Sequence, residues 1–332
     1  MRKVIVDTDT GVDDAMALMM LAADPEVEIM AVISVFGNCH GERAADNARY
    51  VLDTCGRTDV PVYRGSEAPL EQDLKLSSGV HGDDGFGNTG LRPATSVPAE
   101  PHGVPIVLDL INTHPGEIDY IALGPQTNLA RAIGTEPELL EKLASTTIVG
   151  TLGPALYQDT EPWADRRFRV SRDPNVSFDI DAAQIVAGKT GNVTWCGPYV
   201  TRQALVPEQF FTDLAAAGGP PAELIAAISR DYAGFYTSSY PQPDNRRVMG
   251  INDSLAVASL LHPDLVLGSV QRPLQVFQDP DSGDRFLAGV HPLADERRPV
   301  HRVIFDMDFD GVLNLIARTL RKPLPWTPDA DR

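Results

Sequence analysis

Short runs rich in Val and Ile alternate along this chain with longer segments that have helical periodicity. Such alternation is typical of βα units, in which each helix returns the chain to the same end of a parallel sheet. It predicts an α/β fold with an open, mostly parallel central β-sheet flanked by helices, and a mainly helical C-terminal region after Pro207. The predicted strands are 3–6, 29–35, 120–123, 147–149, 193–196, 265–270 and 303–305, and the predicted helices are 13–23, 42–55, 127–133, 182–187, 222–238, 254–261 and 312–320.

The 332 residues contain no internal repeat and no obvious linker, which predicts a single domain over residues 1–332. Two stretches rich in Pro and Gly, 65–103 and 153–175, are predicted to be long loops. Loops of this length usually line a binding site or move. Both follow predicted strands, at the edge where open α/β sheets bind their ligands.

Charge and cysteine content exclude several classes of protein. The 28 Lys and Arg residues against 46 Asp and Glu residues give a formal charge of −18, which repels nucleic acid and anionic membranes. We therefore expect no nucleic acid and no membrane as partner. The three cysteines follow no disulfide or zinc pattern. The first strand begins without a signal-peptide pattern, and the longest apolar run, 15–23, is shorter than the ~20 residues of a membrane span, so we expect a cytoplasmic protein.

The densest group of acidic residues follows the first predicted strand. Asp7, Asp9, Asp13 and Asp14 fall within eight positions. Carboxylates crowded between a strand end and a helix start repel one another unless a cation neutralises them. Calcium and magnesium prefer such oxygen ligands, and a flexible site that includes backbone carbonyls favours calcium. Two other interpretations stay open: Asp13 or Asp14 as a simple helix cap, and a phosphotransferase with an Asp-x-Asp nucleophile.

Residues 7–14 resemble the Asp-x-Asp-x-Gly-x-Asp-Asp motif that follows the first strand in the inosine-uridine preferring nucleoside hydrolases and their relatives. Thr10 stands where Pro is commoner. The resemblance implies the fold predicted above and calcium-dependent hydrolysis of the N-glycosidic bond of a ribonucleoside, which releases free base and ribose. The similarity continues in the same order through residues 35–38, 81–85, 123–129, 173–175, 252–253 and 306–309, and so spans nearly the whole chain.

The resemblance implies a calcium ion held by Asp9, Asp14, Asp253 and the backbone carbonyl of Leu123. It also implies that Asp9 is the general base for a water polarised by the ion. Neighbouring carboxylates stabilise the positive charge of an oxocarbenium-like transition state. The residues themselves agree with this assignment, because they provide an oxygen-only ligand set of the calcium kind.

Several further residues match family positions that bind the ribose. Asp13, Asn38 and Asn175 match residues that hydrogen-bond the ribose hydroxyls, and Asp173 lies where Glu is usual. Without the family, residues 173–175 are typical of a turn. The family tends to carry an Asn for the 5′-hydroxyl shortly before this point, but residues 166–169 here are Arg-Arg-Phe-Arg. These arginines predict either a solvated loop or a contact with an anionic group such as a phosphate.

The chain departs most from the family in the residues that assist the leaving base. Many members carry a His immediately before the last metal ligand, whereas this chain has Asn252, which donates a hydrogen bond but no proton. His81 is the first candidate for this role. Tyr232 and Tyr236, four residues apart on one helix face, are the second, although either can equally be a core residue. Trp163 is a candidate for stacking on a purine.

The substrate that we expect is a small-molecule nucleoside, and the resemblance implies a homodimer or homotetramer. Three alternatives stay open. They are a hydrolase of a modified or 5′-phosphorylated nucleoside, a catalytically weak calcium-dependent protein that binds ribose or nucleoside, and a metal-dependent phosphatase. Asn252 keeps the binding-protein alternative open, whereas Asp9 argues against it.

Overall fold

The structure is a computed structural model that describes residues 1–151, 153, 173–278, 283–290 and 297–322. In these ranges nine strands form one sheet, in the order β10-β9-β11-β6-β5-β4-β1-β2-β3. All neighbours from β3 to β11 are parallel, whereas β9 and β10 are added antiparallel. A separate antiparallel pair consists of β7 and β8. The strands are β1 (Arg2–Thr8), β2 (Val27–Ser34), β3 (Val62–Tyr63), β4 (Ile118–Ala122), β5 (Ser145–Val149), β6 (Val193–Cys196), β7 (Leu205–Pro207), β8 (Val248–Gly250), β9 (Val266–Gln278), β10 (Arg285–Gly289) and β11 (Val300–Met307).

Helices cover both faces of the sheet. They are α1 (Val12–Ala23), α2 (Gly41–Thr54), α3 (Ser78–His81), α4 (Gly103–Thr113), α5 (Thr127–Thr135), α6 (Pro174–Phe178), α7 (Ile180–Ala187), α8 (Pro198–Thr201), α9 (Glu208–Ala216), α10 (Pro220–Ser239), α11 (Asn252–Leu261) and α12 (Phe309–Leu320), with 3₁₀ turns at Leu139–Lys142 and Pro263–Leu265. Across the described ranges, none of the helices combines the length and apolar character that crossing a membrane requires.

Two hydrophobic clusters lie on opposite sides of the sheet. Along β1, Val4 and Val6 belong to one cluster and Ile5 to the other, as the alternation of side chains along a strand requires. Every residue of α1 is buried, because this helix is apolar on all sides after its first turn and packs against α10, α11 and α12. Helices α4, α5 and α7 contribute to the second cluster. The sheet is therefore covered on both faces, as is usual for parallel sheets.

The predicted fold class is confirmed, and each predicted strand and helix is present, with small shifts at most ends and with β9 extending to Gln278, past its predicted end at residue 270. The sequence pattern does not predict β3, β7 and β8, since strands of two or three residues show no periodicity. It also does not predict β10 or α4, which begins Gly-Val-Pro. The predicted loop 65–103 contains the short helix α3. Most of the predicted loop 153–175 lies outside the described residues.

The carboxyl ends of β1, β2, β4 and β5 lie side by side at one edge of the sheet. Each strand end is followed by a segment that carries polar groups. Asp9 follows β1, Asn38 follows β2, and the carbonyl of Leu123 follows β4. Parallel pairing thus brings together residues that are far apart in the sequence, at the edge where α/β sheets bind ligands.

Candidate active site

Two helix starts bring carboxylates to this edge of the sheet. Asp13 and Asp14 lie in the first turn of α1, and Asp253 lies in the first turn of α11. The amino end of a helix favours negative charge, which partly offsets the crowding. Ligand oxygens of these three side chains all lie within 4.8 Å of one another, and all three side chains are buried. The group is therefore able to hold a metal ion, as the acidic motif predicts.

The carboxylate of Asp14 is held in place by three neighbours. Oδ1 accepts a hydrogen bond of 2.7 Å from the hydroxyl of Thr8, and Oδ2 accepts one of 3.0 Å from the backbone N–H of Gly11. Oδ2 also accepts a hydrogen bond of 2.8 Å from the side-chain amide of Asn38. Thr8 was not singled out by the sequence pattern, although it lies one residue from two acidic positions.

Of the two carboxylate oxygens of Asp9, one accepts a hydrogen bond and the other does not, among the described residues. Oδ2 accepts a hydrogen bond of 2.8 Å from the backbone N–H of Asn38. Oδ1 is buried and has no hydrogen-bond partner among the described residues. The backbone approaches closely on two sides, because a Cβ on Gly37 would lie 2.0 Å from Oδ2 and one on Gly124 would lie 2.9 Å from Oδ1. A buried oxygen without a partner in a polar site is available to an ion or a water.

Burial and mutual repulsion make the carboxylates of Asp9, Asp13 and Asp253 hard to ionise without a cation. Burial, together with the adjacent Asp14 and Asp13, raises the pKa of Asp9 well above its usual range. Burial and the neighbouring carboxylates also raise the pKa of Asp13 and of Asp253. A bound cation removes this cost, since it compensates the charge of several carboxylates at once. The oxygen-only donor set fits a hard cation such as calcium or magnesium.

A cavity of about 620 Å³ opens next to these carboxylates. Of the residues singled out from the sequence, those that line it are Asp13, Asn38, His81, Leu123, Asp173, Asn175, Tyr236, Asn252 and Asp253. Asp9 and Asp14 lie behind this lining, and Tyr232 reaches it through its hydroxyl contact with Asp13. The lining also includes residues that were not singled out, among them Lys75, Arg202, Phe235 and Arg285. Sequence periodicity carries no signal for these four, because chain folding alone brings them to the cavity.

One side of the cavity is a hydrogen-bonded network centred on Asp13. Its Oδ2 accepts hydrogen bonds of 3.0 Å from the hydroxyl of Tyr232 and 2.7 Å from the amide of Asn252. The same amide donates a hydrogen bond of 2.8 Å to the hydroxyl of Tyr236. The two tyrosine rings lie with centroids 4.7 Å apart. The structure thus brings together the two tyrosines and the asparagine that were predicted to lie near the base.

His81 is packed into the same side. Its Nδ1 accepts a hydrogen bond of 3.2 Å from the backbone N–H of Val12, so the neutral ring carries its hydrogen on Nε2. Nδ1 lies 4.0 Å from Oδ1 of Asp13, and the ring centroid lies 4.9 Å from that of Tyr232. Burial lowers the pKa of His81. A Cβ on Gly11 would lie 2.5 Å from Nδ1, so this glycine permits the close approach.

Asp173 and Asn175 also line the cavity. Oδ1 of Asp173 accepts a hydrogen bond of 3.0 Å from the backbone N–H of Val176 and so caps α6, and burial raises the pKa of Asp173 to about 6. The amide of Asn175 donates hydrogen bonds of 2.6 Å to the carbonyl of Leu123 and 3.2 Å to that of Val149. Trp163 and the Arg-Arg-Phe-Arg segment 166–169 lie outside the described residues.

Comparison with known proteins agrees with this geometry. Residues 4–314 match the family model described as inosine-uridine preferring nucleoside hydrolase. An inosine-uridine preferring nucleoside hydrolase of Leishmania major is 32% identical over 267 residues, which are 80% of this chain and 80% of that protein. A protein of the same name from Crithidia fasciculata is 29% identical over 329 residues, 97% of this chain and 98% of that protein.

Solved structures give the same result. A plant nucleoside hydrolase superposes with a TM-score of 0.84 at 26% sequence identity, over 97% of this chain and 99% of that one. The match of the family model covers most of the chain, and its relatives are named nucleoside hydrolases. This chain therefore belongs to the inosine-uridine preferring nucleoside hydrolase family and is a nucleoside N-ribohydrolase.

Proposed function

We propose that this enzyme hydrolyses the N-glycosidic bond of ribonucleosides in a calcium-dependent reaction with Asp9 as general base. The observation that carries the proposal is the buried Oδ1 of Asp9, which has no hydrogen-bond partner among the described residues and lies beside the cluster of carboxylates at the cavity. The ligands that we propose for the ion are Asp9, Asp14, Asp253 and the carbonyl of Leu123. Calcium, when bound, would polarise a water and anchor the ribose hydroxyls.

Asp9 is suited to accept a proton because only one of its oxygens is occupied. Oδ2 is held by the N–H of Asn38, so the carboxylate cannot rotate freely. Oδ1 is then presented in a fixed direction, which lowers the entropy cost of positioning the attacking water.

Ribose contacts are proposed for Asp13, Asn38, Asp173 and Asn175. The amide hydrogens of Asn175 are donated to two carbonyls, so the atom left for the sugar is Oδ1, which accepts from a hydroxyl. Oδ1 of Asp173 caps α6 and leaves Oδ2 for the same purpose. The carboxylates of Asp13 and its neighbours would also stabilise positive charge on the ribose as the bond breaks.

Help for the leaving base is proposed to come from Tyr236 and His81. The hydroxyl of Tyr236 accepts a hydrogen bond from Asn252, so its own hydrogen can be donated to a base in the cavity. Burial raises the pKa of Tyr236 to about 12, which keeps the phenol protonated. His81 can donate from Nε2, but its lowered pKa makes it a hydrogen-bond donor rather than a charged acid near neutrality. Tyr232 already donates to Asp13 and holds that carboxylate in place.

A second candidate is the hydrolysis of a 5′-phosphorylated or otherwise anionic nucleoside. The supporting observation is that Lys75, Arg202 and Arg285 line the cavity. Against it, Arg285 forms an ion pair of 2.8 Å with Asp181, and the acidic Asp284 also lines the cavity. We therefore place the plain ribonucleoside first.

The test is reducing-sugar release from purine and pyrimidine ribonucleosides, their deoxy forms and their 5′-phosphates. Asp9→Ala should abolish release, whereas Asp83→Ala, which removes an exposed carboxylate two residues from His81, should leave it unchanged. Faster release from the 5′-phosphates would favour the second candidate. If the wild type binds calcium and ribose in calorimetry but releases nothing from any of these substrates, it is a binding protein or acts on a modified substrate.

We further propose that the chain is one domain, because strands from Arg2 to Met307 belong to one continuous sheet. A homodimer or homotetramer and a cytoplasmic location stay predictions from the sequence. Light scattering coupled to gel filtration would measure the number of subunits.

A further inference from the structure

A second buried carboxylate lies beneath the proposed cation site. Asp7, two residues before Asp9 on β1, is fully buried. Its Oδ2 accepts a hydrogen bond of 2.7 Å from the hydroxyl of Tyr120 on β4, and its Oδ1 accepts one of 2.8 Å from the amide of Asn128 on α5. No ion pair is formed by Asp7 within the described part of the chain. A buried carboxylate with two neutral donors and no cation is costly, and so calls for an explanation.

The amide of Asn128 joins three segments. Besides Asp7, it donates a hydrogen bond of 2.9 Å to the carbonyl of Ser34 at the end of β2. Its Oδ1 accepts a hydrogen bond of 2.8 Å from the backbone N–H of Ser66, in the loop after β3. All the hydrogen-bonding groups of this side chain amide are thus used, and the residue is buried.

The connection extends to β4 through the backbone. The carbonyl of Asp7 accepts a hydrogen bond of 2.7 Å from the N–H of Leu123, the residue whose own carbonyl is a proposed ligand. The side chains of Asp7, Tyr120 and Asn128 therefore cross-link the ends of β1, β2 and β4. These ends lead directly into Asp9, Asn38 and the carbonyl of Leu123, respectively.

We propose that Asp7, Tyr120 and Asn128 form a positioning network that sets the distance between the oxygens of Asp9 and Leu123, and thereby the affinity for the cation. The inference rests on the proposed function, since it assumes that these oxygens bind the ion. None of the three side chains lines the cavity, so their effect passes through the strand ends and not through contact with substrate. Stability alone does not account for the carboxylate, because a neutral isostere would remove the cost of burying a charge.

The experiment compares Asp7→Asn with Asp119→Asn. Asp119 is a largely buried aspartate on β4, near the start of that strand and thus at the opposite edge of the sheet. In Asp7→Asn, one former acceptor oxygen becomes an NH₂ group, so the network loses an acceptor while the side chain keeps its shape. We expect calcium affinity, measured by isothermal titration calorimetry, to fall about tenfold or more, as for other residues that orient metal ligands. The thermal midpoint should be unchanged or higher, and Asp119→Asn should bind calcium within twofold of wild type.

Tyr120→Phe is the second variant, which removes a single hydroxyl and serves if Asp7→Asn does not fold. We expect it to weaken calcium binding severalfold. A folded Asp7→Asn or Tyr120→Phe protein with wild-type calcium affinity would overturn the positioning network but leave the proposed function standing. A wild type that binds no calcium would instead contradict the proposed cofactor. The network would then be judged by the KM for inosine or uridine, and an unchanged KM in both variants would overturn it.

Discussion

Removing calcium should destabilise this protein, and the loss should grow as the pH rises. In the ion-free protein, burial and neighbouring carboxylates raise the pKa of Asp9, Asp13 and Asp253. An acid whose pKa is raised by folding adds stability below its unfolded pKa of about 4, and this stability is lost as the pH rises through the folded pKa. The ion-free protein should therefore be more stable at pH 5 than at pH 8. Under the proposed function calcium binds the ionised carboxylates, so protons compete with it at pH 5.

The size of the effect follows from ligand linkage. Calcium at about 100 times its Kd stabilises the folded state by about 2.7 kcal/mol. At about 2 to 4 °C per kcal/mol for a chain somewhat shorter than this one, the midpoint at pH 8 should rise by roughly 5 to 10 °C. Burial also raises the pKa of Asp7 from 3.8 to about 7, so the ion-free form loses further stability as the pH rises through this range.

Scanning calorimetry in calcium and in chelator, at pH 5 and pH 8, measures this difference, with magnesium as the control cation. A midpoint shift that is equal at the two pH values, or larger at pH 5, would refute the reasoning. Such a result would mean that the crowded carboxylates are not the groups that bind the ion.

Two substitutions test the groups proposed to act on the base and the water. Tyr236→Phe removes the hydroxyl proposed to assist the leaving base and should lower kcat/KM about ten- to hundredfold. The control is Tyr240→Phe, which changes a ring stacked on Tyr236 with centroids 5.9 Å apart and should keep kcat/KM within twofold of wild type. Equal losses in both variants would contradict the assignment. Gly37→Ala places a Cβ 2.0 Å from the carboxylate of Asp9, the proposed base, and should nearly abolish hydrolysis. The control is Gly79→Ala, whose Cβ meets no atom within 4 Å and which should hydrolyse substrate like wild type. An active Gly37→Ala enzyme would show that the Asp9 carboxylate can move without loss of function.

The parts of the fold that the sequence predicts are those in which local pattern and burial agree. The strand over residues 3–6 and the helix after it are examples, because the sheet buries both faces of β1 and the helix is apolar on all sides. β9 shows the limit of local pattern. It extends to Gln278, well past the predicted end at residue 270, because pairing with β11 and β10 supplies hydrogen bonds that are invisible in the sequence.

In the candidate site, too, some features can be predicted from local sequence and others depend on how distant segments pack. The four aspartates between the end of β1 and the start of α1 are close together in the sequence, so their crowding can be predicted from spacing. The contact between Tyr232 and Asp13 and the position of Arg202 at the cavity depend on how distant segments pack. The family resemblance supplied part of this information, since it placed the two tyrosines and Asn252 near the base. It did not indicate that Asn175 uses its amide hydrogens on backbone carbonyls, which only the arrangement of β4 and β5 determines.

The network around Asn252 limits how this enzyme can treat its leaving group. The amide donates to Asp13 and to Tyr236, so it organises the cavity wall instead of contacting the base. The two donors that we propose for the base, the phenol of Tyr236 and Nε2 of His81, are both weak acids near neutrality. A base that receives only a hydrogen bond departs with most of its negative charge.

The rate of hydrolysis should then depend steeply on how well the departing base carries that charge. We expect log kcat/KM across a series of ribonucleosides to rise as the pKa of the departing N–H falls. Asn252→His introduces a group with a pKa of about 6.5 in its unperturbed form, and should flatten this dependence and add a limb to the pH profile near that value. If the wild-type series is already flat, the base is protonated before or during departure. The assistance would then come from a stronger acid than the phenol or the neutral imidazole.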